Sequence, residues 1–143
     1  MLPSADLRAI EINQDAVKVL KKSFDRITVF SESILQYKID VSFDFVLIKG
    51  VLIHINPNKL DIVYQKLYDS SKKYICLVEY YNPTPIKVSY RGFKNRLFKR
   101  DFAGELMDRF NDLALVNYGF VYHRDNNFPQ DDLTWFLLEK KLK

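Results

Sequence analysis

A strand, a glycine and a histidine follow one another closely near the middle of the chain. The apolar run 43–48 predicts a buried strand, which ends at Lys49-Gly50 and is followed by His54 and a helix opening at Asn56-Pro57. Open α/β sheets bind their ligands in the crevice outside the carboxyl ends of such strands. A neutral imidazole at this place can accept a proton. The stretch therefore predicts a ligand crevice with a candidate proton acceptor.

The rest of the chain predicts the elements that would position this crevice. Their order is β-α-β-β-α-β-loop-α-β-β, which favours an α/β fold with a mostly parallel sheet and helices on both faces. A closing hairpin adds an antiparallel strand at one edge. The predicted strands are 5–12, 27–30, 43–48, 73–81, 113–123 and 133–140, and the predicted helices are 14–24, 57–70 and 102–110. Residues 82–98 form a long connection, and long connections in compact domains often carry function.

Composition limits the classes of protein that this chain can belong to. Its 143 residues, 48% of them hydrophobic, predict one folded domain over 1–143. The net charge of +4 is too small for a dedicated nucleic-acid binder, although basic residues concentrate in 87–100. A single cysteine, Cys76, excludes a disulfide framework and favours a cytoplasmic setting. No signal peptide or membrane span is expected, and the two histidines, His54 and His123, lack partners at metal-ligand spacing.

Several strings carry a resemblance to a known family. They are AIEIN (9–13), KGVLIHINP (49–57), EYYNPTP (79–85), YRG (90–92), RLFKRDFAGE (96–105), YGFVYHRD (118–125) and FPQDDLTWFLLEK (128–140). In these strings the chain resembles the class I S-adenosylmethionine-dependent methyltransferases, and more closely the methylases associated with pseudaminic acid biosynthesis. The resemblance implies a Rossmann-like three-layer αβα sandwich, S-adenosylmethionine as the cofactor, and methyl transfer to a sugar or sugar-acid acceptor.

The resemblance also implies cofactor-binding residues. Glu11, followed by Ile12, matches the acid that holds the cofactor ribose, because a carboxylate can accept from both ribose hydroxyls. Glu32 and Ser33 match the turn that contacts the adenine, although a plain polar turn is an equal alternative. Lys49 and Gly50 would lie beside the methionine moiety, where glycine permits close backbone approach.

Substrate-side residues follow from the same resemblance. His54 would take a proton from the acceptor during attack on the sulfonium methyl, with a helix-capping or supporting histidine as the alternative. A basic, aromatic segment at about 82–100 would receive a pyrophosphate or a sugar carboxylate, unless it is only a solvated basic face. The candidate substrate-binding residues are Glu79, Tyr81, Tyr90, Arg91, Arg96, Lys99 and Arg100.

One departure from the family weakens this expectation. No acidic Gly-rich loop of the type E/DxGxGxG occurs, since the four glycines, Gly50, Gly92, Gly104 and Gly119, are isolated. We therefore expect an N-terminally truncated domain that lacks the first strand and helix. The family's strand order, three-two-one-four-five-seven-six, would then lose a central strand and leave an open edge for homodimer formation or strand pairing. A non-catalytic interaction module and an RNA or protein methyltransferase are the alternative functions.

Overall fold

The computed structural model describes residues 4–90 and 93–141, without the side chains of residues 90 and 93–96. It contains three α-helices and eight strands. The strands are β1 (Leu7–Ile10), β2 (Ile27–Phe30), β3 (Phe43–Lys49), β4 (Ser71–Glu79), β5 (Ile86–Tyr90), β6 (Phe93–Lys99), β7 (Leu113–Val121) and β8 (Leu133–Lys140). The helices are α1 (Gln14–Ser23), α2 (Leu60–Ser70) and α3 (Phe102–Arg109), with 3-10 turns at Leu52–His54 and Pro57–Lys59.

The chain divides into two compact units, the first ending at Lys38 and the second beginning at Ile39. The sequence prediction of one domain over residues 1–143 stays a prediction. Among the described residues, no helix is long and apolar enough to cross a membrane.

The first unit is a β-α-β element. Strands β1 and β2 pair in parallel, with Ile10 opposite Phe30 at their carboxyl ends. The intervening helix begins where predicted, because the Asn13 side chain accepts hydrogen bonds from the backbone N–H groups of Asp15 (2.9 Å) and Ala16 (3.3 Å). Val17 is buried on the inner face of this helix. The Phe30 ring packs edge-on against the Tyr37 ring, with 5.0 Å between the ring centroids.

The second unit is built on a four-stranded sheet in the order β3-β4-β8-β7. Strands β3 and β4 are parallel, whereas β8 runs antiparallel to both β4 and β7. The sheet is therefore mixed, as the predicted antiparallel hairpin implies, but the antiparallel strand β8 lies inside the sheet and not at its edge. Within each sheet the neighbouring strands follow the expected order: β1 lies beside β2, and the second sheet runs β3-β4-β8-β7. The strands β1 and β3, which flank the expected gap, belong to separate sheets.

Helices α2 and α3 carry the apolar core of the second unit. Leu60, Val63, Tyr64 and Leu67 recur at helical spacing on α2 and are all buried. Side chains that are almost completely buried are Leu52, Val63, Ile75, Leu77, Leu106 and Leu138. Each leucine buried in this way contributes roughly 2 kcal/mol of hydrophobic stabilisation. These contacts pack the helices against the strands.

The segment expected to be a long connection is a β-hairpin. Strands β5 and β6 pair antiparallel, with Ile86 opposite Lys99 and Val88 opposite Leu97. The prediction of a connection without strands over 82–98 was wrong, because the alternation of apolar and polar residues in IKVSY already has the period of a strand. Leu97 and Phe98 are buried, so the hairpin is anchored by its second strand.

Candidate functional site

At the carboxyl edge of the first unit, Glu11 lies beside the turn that follows β2. The register of β1 and β2 places these two strand ends together, and the Glu11 backbone N–H donates to the Phe30 carbonyl at 3.0 Å. Oε1 of Glu11 accepts from the Asn13 backbone N–H at 2.7 Å. Oε2 makes no hydrogen bond with any residue that the structure describes, and the side chain is only half-buried. This oxygen can therefore accept from a ligand.

The turn after β2 is held in place by its own side chains. Ser31 Oγ accepts from Gln14 Nε2 at 2.7 Å, which ties the end of β2 to the first turn of α1. Ser33 Oγ accepts from the Leu35 backbone N–H at 3.2 Å. Glu32 is half-buried at the centre of the turn. Together with Ile12, which is 68% exposed, these residues give one edge a carboxylate pair, a hydroxyl and an apolar surface.

At the carboxyl edge of the second unit, the chain turns sharply after β3. Gly50 has a φ of +63°, in the left-handed region that other residues rarely adopt, and its N–H still donates to the Val78 carbonyl at 3.0 Å. A Cβ added at Gly50 would meet no atom within 4 Å, so the space beside this backbone is open. Lys49 Nζ donates to Oε1 of Gln130, in the connection between β7 and β8. Sequence reasoning did not identify Gln130, for which only the FPQDD string gave a signal.

Glu79 ends β4 at this edge, and its carboxylate is directed into the protein. Oε1 accepts from the backbone N–H groups of Val51 (2.9 Å) and Leu52 (3.0 Å), and Oε2 accepts from that of Ile53 (3.4 Å). The residue is 4% exposed. Burial raises the pKa of the Glu79 carboxyl, against the opposing effects of the three N–H groups and of His54. The predicted substrate ligand thus has both oxygens engaged within the chain.

His54 closes the 3-10 turn that follows Gly50. It is exposed, and its backbone N–H donates to the Val51 carbonyl at 3.0 Å. An electrostatic interaction with His54 lowers the pKa of Glu79, so the imidazole lies within reach of that carboxyl. The structure therefore brings His54, Gly50 and Glu79 to one edge, with the histidine on the solvent side.

The aromatic and basic candidates at the base of the hairpin divide into available and engaged side chains. Tyr81 is 40% exposed and packs on Phe136 at 5.6 Å between centroids. Lys99 Nζ lies over the Tyr80 ring, 4.9 Å from its centroid. The predicted residues Tyr90, Arg91 and Arg96 lie outside the described side chains.

Arg100, by contrast, is held inside the unit. Its Nε donates to Glu105 Oε1 at 2.7 Å, and Glu105 Oε2 accepts from the Tyr64 hydroxyl at 2.7 Å. Burial and the Glu105 carboxylate raise the pKa of Tyr64, so its hydroxyl stays a donor. This chain of contacts joins the end of β6 to α2 and α3. Sequence reasoning missed it, because Tyr64 and Glu105 are 41 residues apart.

No group of three or more histidine, cysteine or acidic side chains that could hold a metal ion occurs in the described part of the chain. The free thiol of Cys76 is half-buried in β4, and burial raises its pKa, which favours the protonated and unreactive form.

Comparison with known proteins gives a fold. No protein-family model matches the chain, and no curated protein matches it by sequence. Solved structures do match. One is the 1,6-didemethyltoxoflavin-N1-methyltransferase of Burkholderia thailandensis with S-adenosylhomocysteine, at a TM-score of 0.70 and 10% identity, covering 96% of this chain and 62% of that one. Another is a SAM-dependent methyltransferase of Methanosarcina mazei, at a TM-score of 0.68 and 13% identity, covering 95% of this chain and 82% of that one.

A third match is the N-methyltransferase NodS of Bradyrhizobium japonicum in complex with S-adenosylhomocysteine. Its TM-score is 0.67 at 12% identity, with 94% of this chain and 66% of that one covered. The chain thus spans less than two thirds of the length of the Burkholderia and Bradyrhizobium structures. Its fold is that of the class I S-adenosylmethionine-dependent methyltransferases.

Proposed function

We propose that this chain takes part in methyl transfer from S-adenosylmethionine to a small-molecule acceptor. The observation that carries the proposal is the fold, which matches structures solved with S-adenosylhomocysteine at TM-scores up to 0.70. The polar groups at the carboxyl ends of the parallel strands support it, because α/β sheets bind ligands there.

The first unit has the side chains that the adenosine half of the cofactor requires. Oε2 of Glu11 can accept from a ribose hydroxyl, and Glu32 can accept from the adenine amine. Ser33 flanks them, and the exposed Ile12 gives an apolar contact for the base. The residues therefore fit adenosine. They do not include a Gly-rich backbone cradle, so we expect weak binding by residues 1–143.

The second unit has the groups that an acceptor would need. When bound, S-adenosylmethionine supplies an electrophilic methyl group. The open space beside Gly50 admits a ligand to the backbone, with Lys49 as its neighbour. The exposed imidazole of His54 accepts the proton that an acceptor hydroxyl or amine releases. Displacement at a methyl group needs little covalent help from the protein, so positioning contributes most of the catalysis.

A sugar or sugar-acid acceptor of the pseudaminic type is the finer form of this proposal. Its support is the resemblance in sequence together with two available side chains. The 40%-exposed ring of Tyr81 can pack on a sugar, and Lys99 beside Tyr80 can pair with a carboxylate or phosphate. Arg100 is a weaker candidate, because Glu105 already neutralises its guanidinium. We place the activity in the cytoplasm, in keeping with the reduced Cys76.

A second candidate function is an interaction module that pairs through a sheet edge. Strand β3 ends the order β3-β4-β8-β7, and its Phe45 and Leu47 are 52% and 57% exposed. An apolar edge strand is a template for a strand of another chain, including a second copy of this one. Sedimentation equilibrium would show a dimer that Phe45→Lys and Leu47→Lys dissociate. A monomer at all concentrations would leave homodimer formation without support.

Titration with S-adenosylhomocysteine tests the main proposal. We expect chemical-shift changes at the Glu11 and Glu32 amides of the wild type, and affinity reduced about tenfold or more by Glu11→Ala. Asp25→Ala is the matched control, since Asp25 is an exposed acid at the opposite end of β2. Equal binding by the wild type and Glu11→Ala would remove the ribose assignment. No shift at millimolar ligand would remove the proposed function.

A further inference from the structure

The carboxylate of Glu79 is committed to a turn in its own unit. The backbone N–H groups of Val51, Leu52 and Ile53 all point at it, at 2.9, 3.0 and 3.4 Å. Three converging donors are enough to engage both oxygens of one carboxylate. Because Glu79 is 4% exposed, a ligand that used the same oxygens would have to break these bonds first.

The turn needs this acceptor because of its sequence. The first N–H groups of any helical turn have no partner within the turn. The residue that precedes the Leu52–His54 turn is Val51, whose side chain cannot accept a hydrogen bond. At α1 the equivalent position is Asn13, which provides its own cap. The Leu52–His54 turn lacks such a residue, and Glu79 takes its place from the neighbouring strand.

The sheet register delivers Glu79 to this position. Lys49 pairs with Val78 across β3 and β4, so the next residues on the two strands are Gly50 and Glu79. The left-handed conformation of Gly50 then directs the chain over the end of β4. The turn between Gly50 and His54 is therefore held by a side chain that belongs to another strand.

We infer that Glu79 is a positioning residue, which holds the backbone of residues 51–53 so that Gly50 and His54 face the ligand. We assign Glu79 this role in place of the substrate-binding role that the sequence predicted for its strand end. The inference rests on the proposed function for the identity of that ligand, whereas the hold on the backbone is independent of it. Glutamine and leucine at position 79 would keep different parts of this hydrogen bonding. Glutamine keeps an oxygen for Val51 and Leu52, and leucine has no acceptor.

Amide hydrogen exchange followed by NMR tests the hold directly. In Glu79→Leu we expect the Leu52 and Ile53 amides to exchange at least about tenfold faster than in the wild type. In Glu79→Gln we expect Leu52 to stay protected while Ile53, now facing an amide nitrogen, exchanges faster. Glu139→Leu is the control, because Glu139 lies on β8 and pairs with Lys73 at 3.4 Å, so its loss should leave 51–53 unchanged.

The same samples test the link to the ligand. We expect S-adenosylhomocysteine to shift the Gly50 amide in the wild type, to lose that effect in Glu79→Leu and to keep it in Glu79→Gln. Unchanged exchange at residues 51–53 in both variants would overturn the positioning role. If exchange at residues 51–53 is faster in the variants but the wild type does not respond to S-adenosylhomocysteine, Glu79 does hold the backbone and the proposed function is refuted. If Glu79→Leu does not fold, the difference in exchange rate between the Leu52 and Ile53 amides of Glu79→Gln tests the positioning role.

Discussion

Glu11 and Glu79 occupy equivalent places in the two units, each at or just after the end of an apolar strand. Glu11 is half-buried, accepts one backbone N–H and has an oxygen left for a ligand. Glu79 is buried and accepts three. The difference lies in the segment that follows, since Asn13 caps the next helix of the first unit and Val51 cannot cap the next turn of the second. A strand-end carboxylate is thus available to ligands only where the local backbone does not need it.

The largest effect that we expect from this difference is on stability. Glu79→Leu leaves buried N–H groups without acceptors, so the free energy of unfolding should fall by about 3 kcal/mol. Glu11→Leu should cost less than about 1 kcal/mol, because water can replace its single bond. Urea unfolding followed by circular dichroism measures both, and the fluorescence of Trp135, the only tryptophan, follows the second unit. Equal losses for the two variants would break the comparison.

An intermediate effect should separate the two neighbouring cations, Arg100 and Lys99. Arg100→Ala removes the partner of Glu105 in an ion pair whose side chains are 23% and 27% exposed, so we expect a loss of about 1 kcal/mol. Lys99→Ala loses a contact with the Tyr80 ring and should cost at most about 0.5 kcal/mol. Thermal unfolding of both variants checks this order. The reverse order would return Arg100 to the set of available ligands.

The smallest expected effect is a pH dependence of the difference in stability between the wild type and Glu79→Gln. Burial raises the pKa of Glu79 above its ordinary 4.5, so the folded state binds this proton more tightly than the unfolded state does. The wild type should therefore lose stability relative to Glu79→Gln as the pH rises from 4.5 through the folded-state pKa. Urea unfolding at several pH values from 4.5 to 7 measures the gap.

A gap that widened in favour of the wild type with rising pH would mean that the three N–H groups dominate and lower the pKa. His54 acts on the same carboxyl, so the series is repeated in a His54→Gln background. If the stability difference depends on pH in the same way in the His54→Gln background, the dependence is due to Glu79.

Much of the secondary structure could be predicted because its causes are local. The cap at Asn13, the cap at Asp101 and the apolar face of α2 each depend on residues within a few positions of one another. The strand at 133–140 was predicted with its observed bounds, and β1 was predicted two residues too long at each end. The hairpin of β5 and β6 was missed, because Pro83 and Pro85 just before it and its own basic residues outweighed the alternating pattern of β5.

The candidate site was predictable in location more than in role. Glu11, Glu32 and Ser33 do lie at one strand edge, and Gly50 and His54 at another. The roles of Glu79 and Arg100 could not be read from the sequence, because their availability depends on partners supplied by other elements. Lys49 likewise meets Gln130, which is 81 residues away.

The sequence by itself determined the order of helices and strands outside the β5–β6 hairpin, the caps of α1 and α3 and the strand ends that carry polar groups. Tertiary structure decided that the antiparallel strand β8 lies inside the main sheet and that one of two similar glutamates is committed to the protein. The physical reason is the obligatory pairing of buried backbone N–H groups. Three such groups lie 26 to 28 residues before Glu79, and only the pairing of β3 with β4 brings them to it.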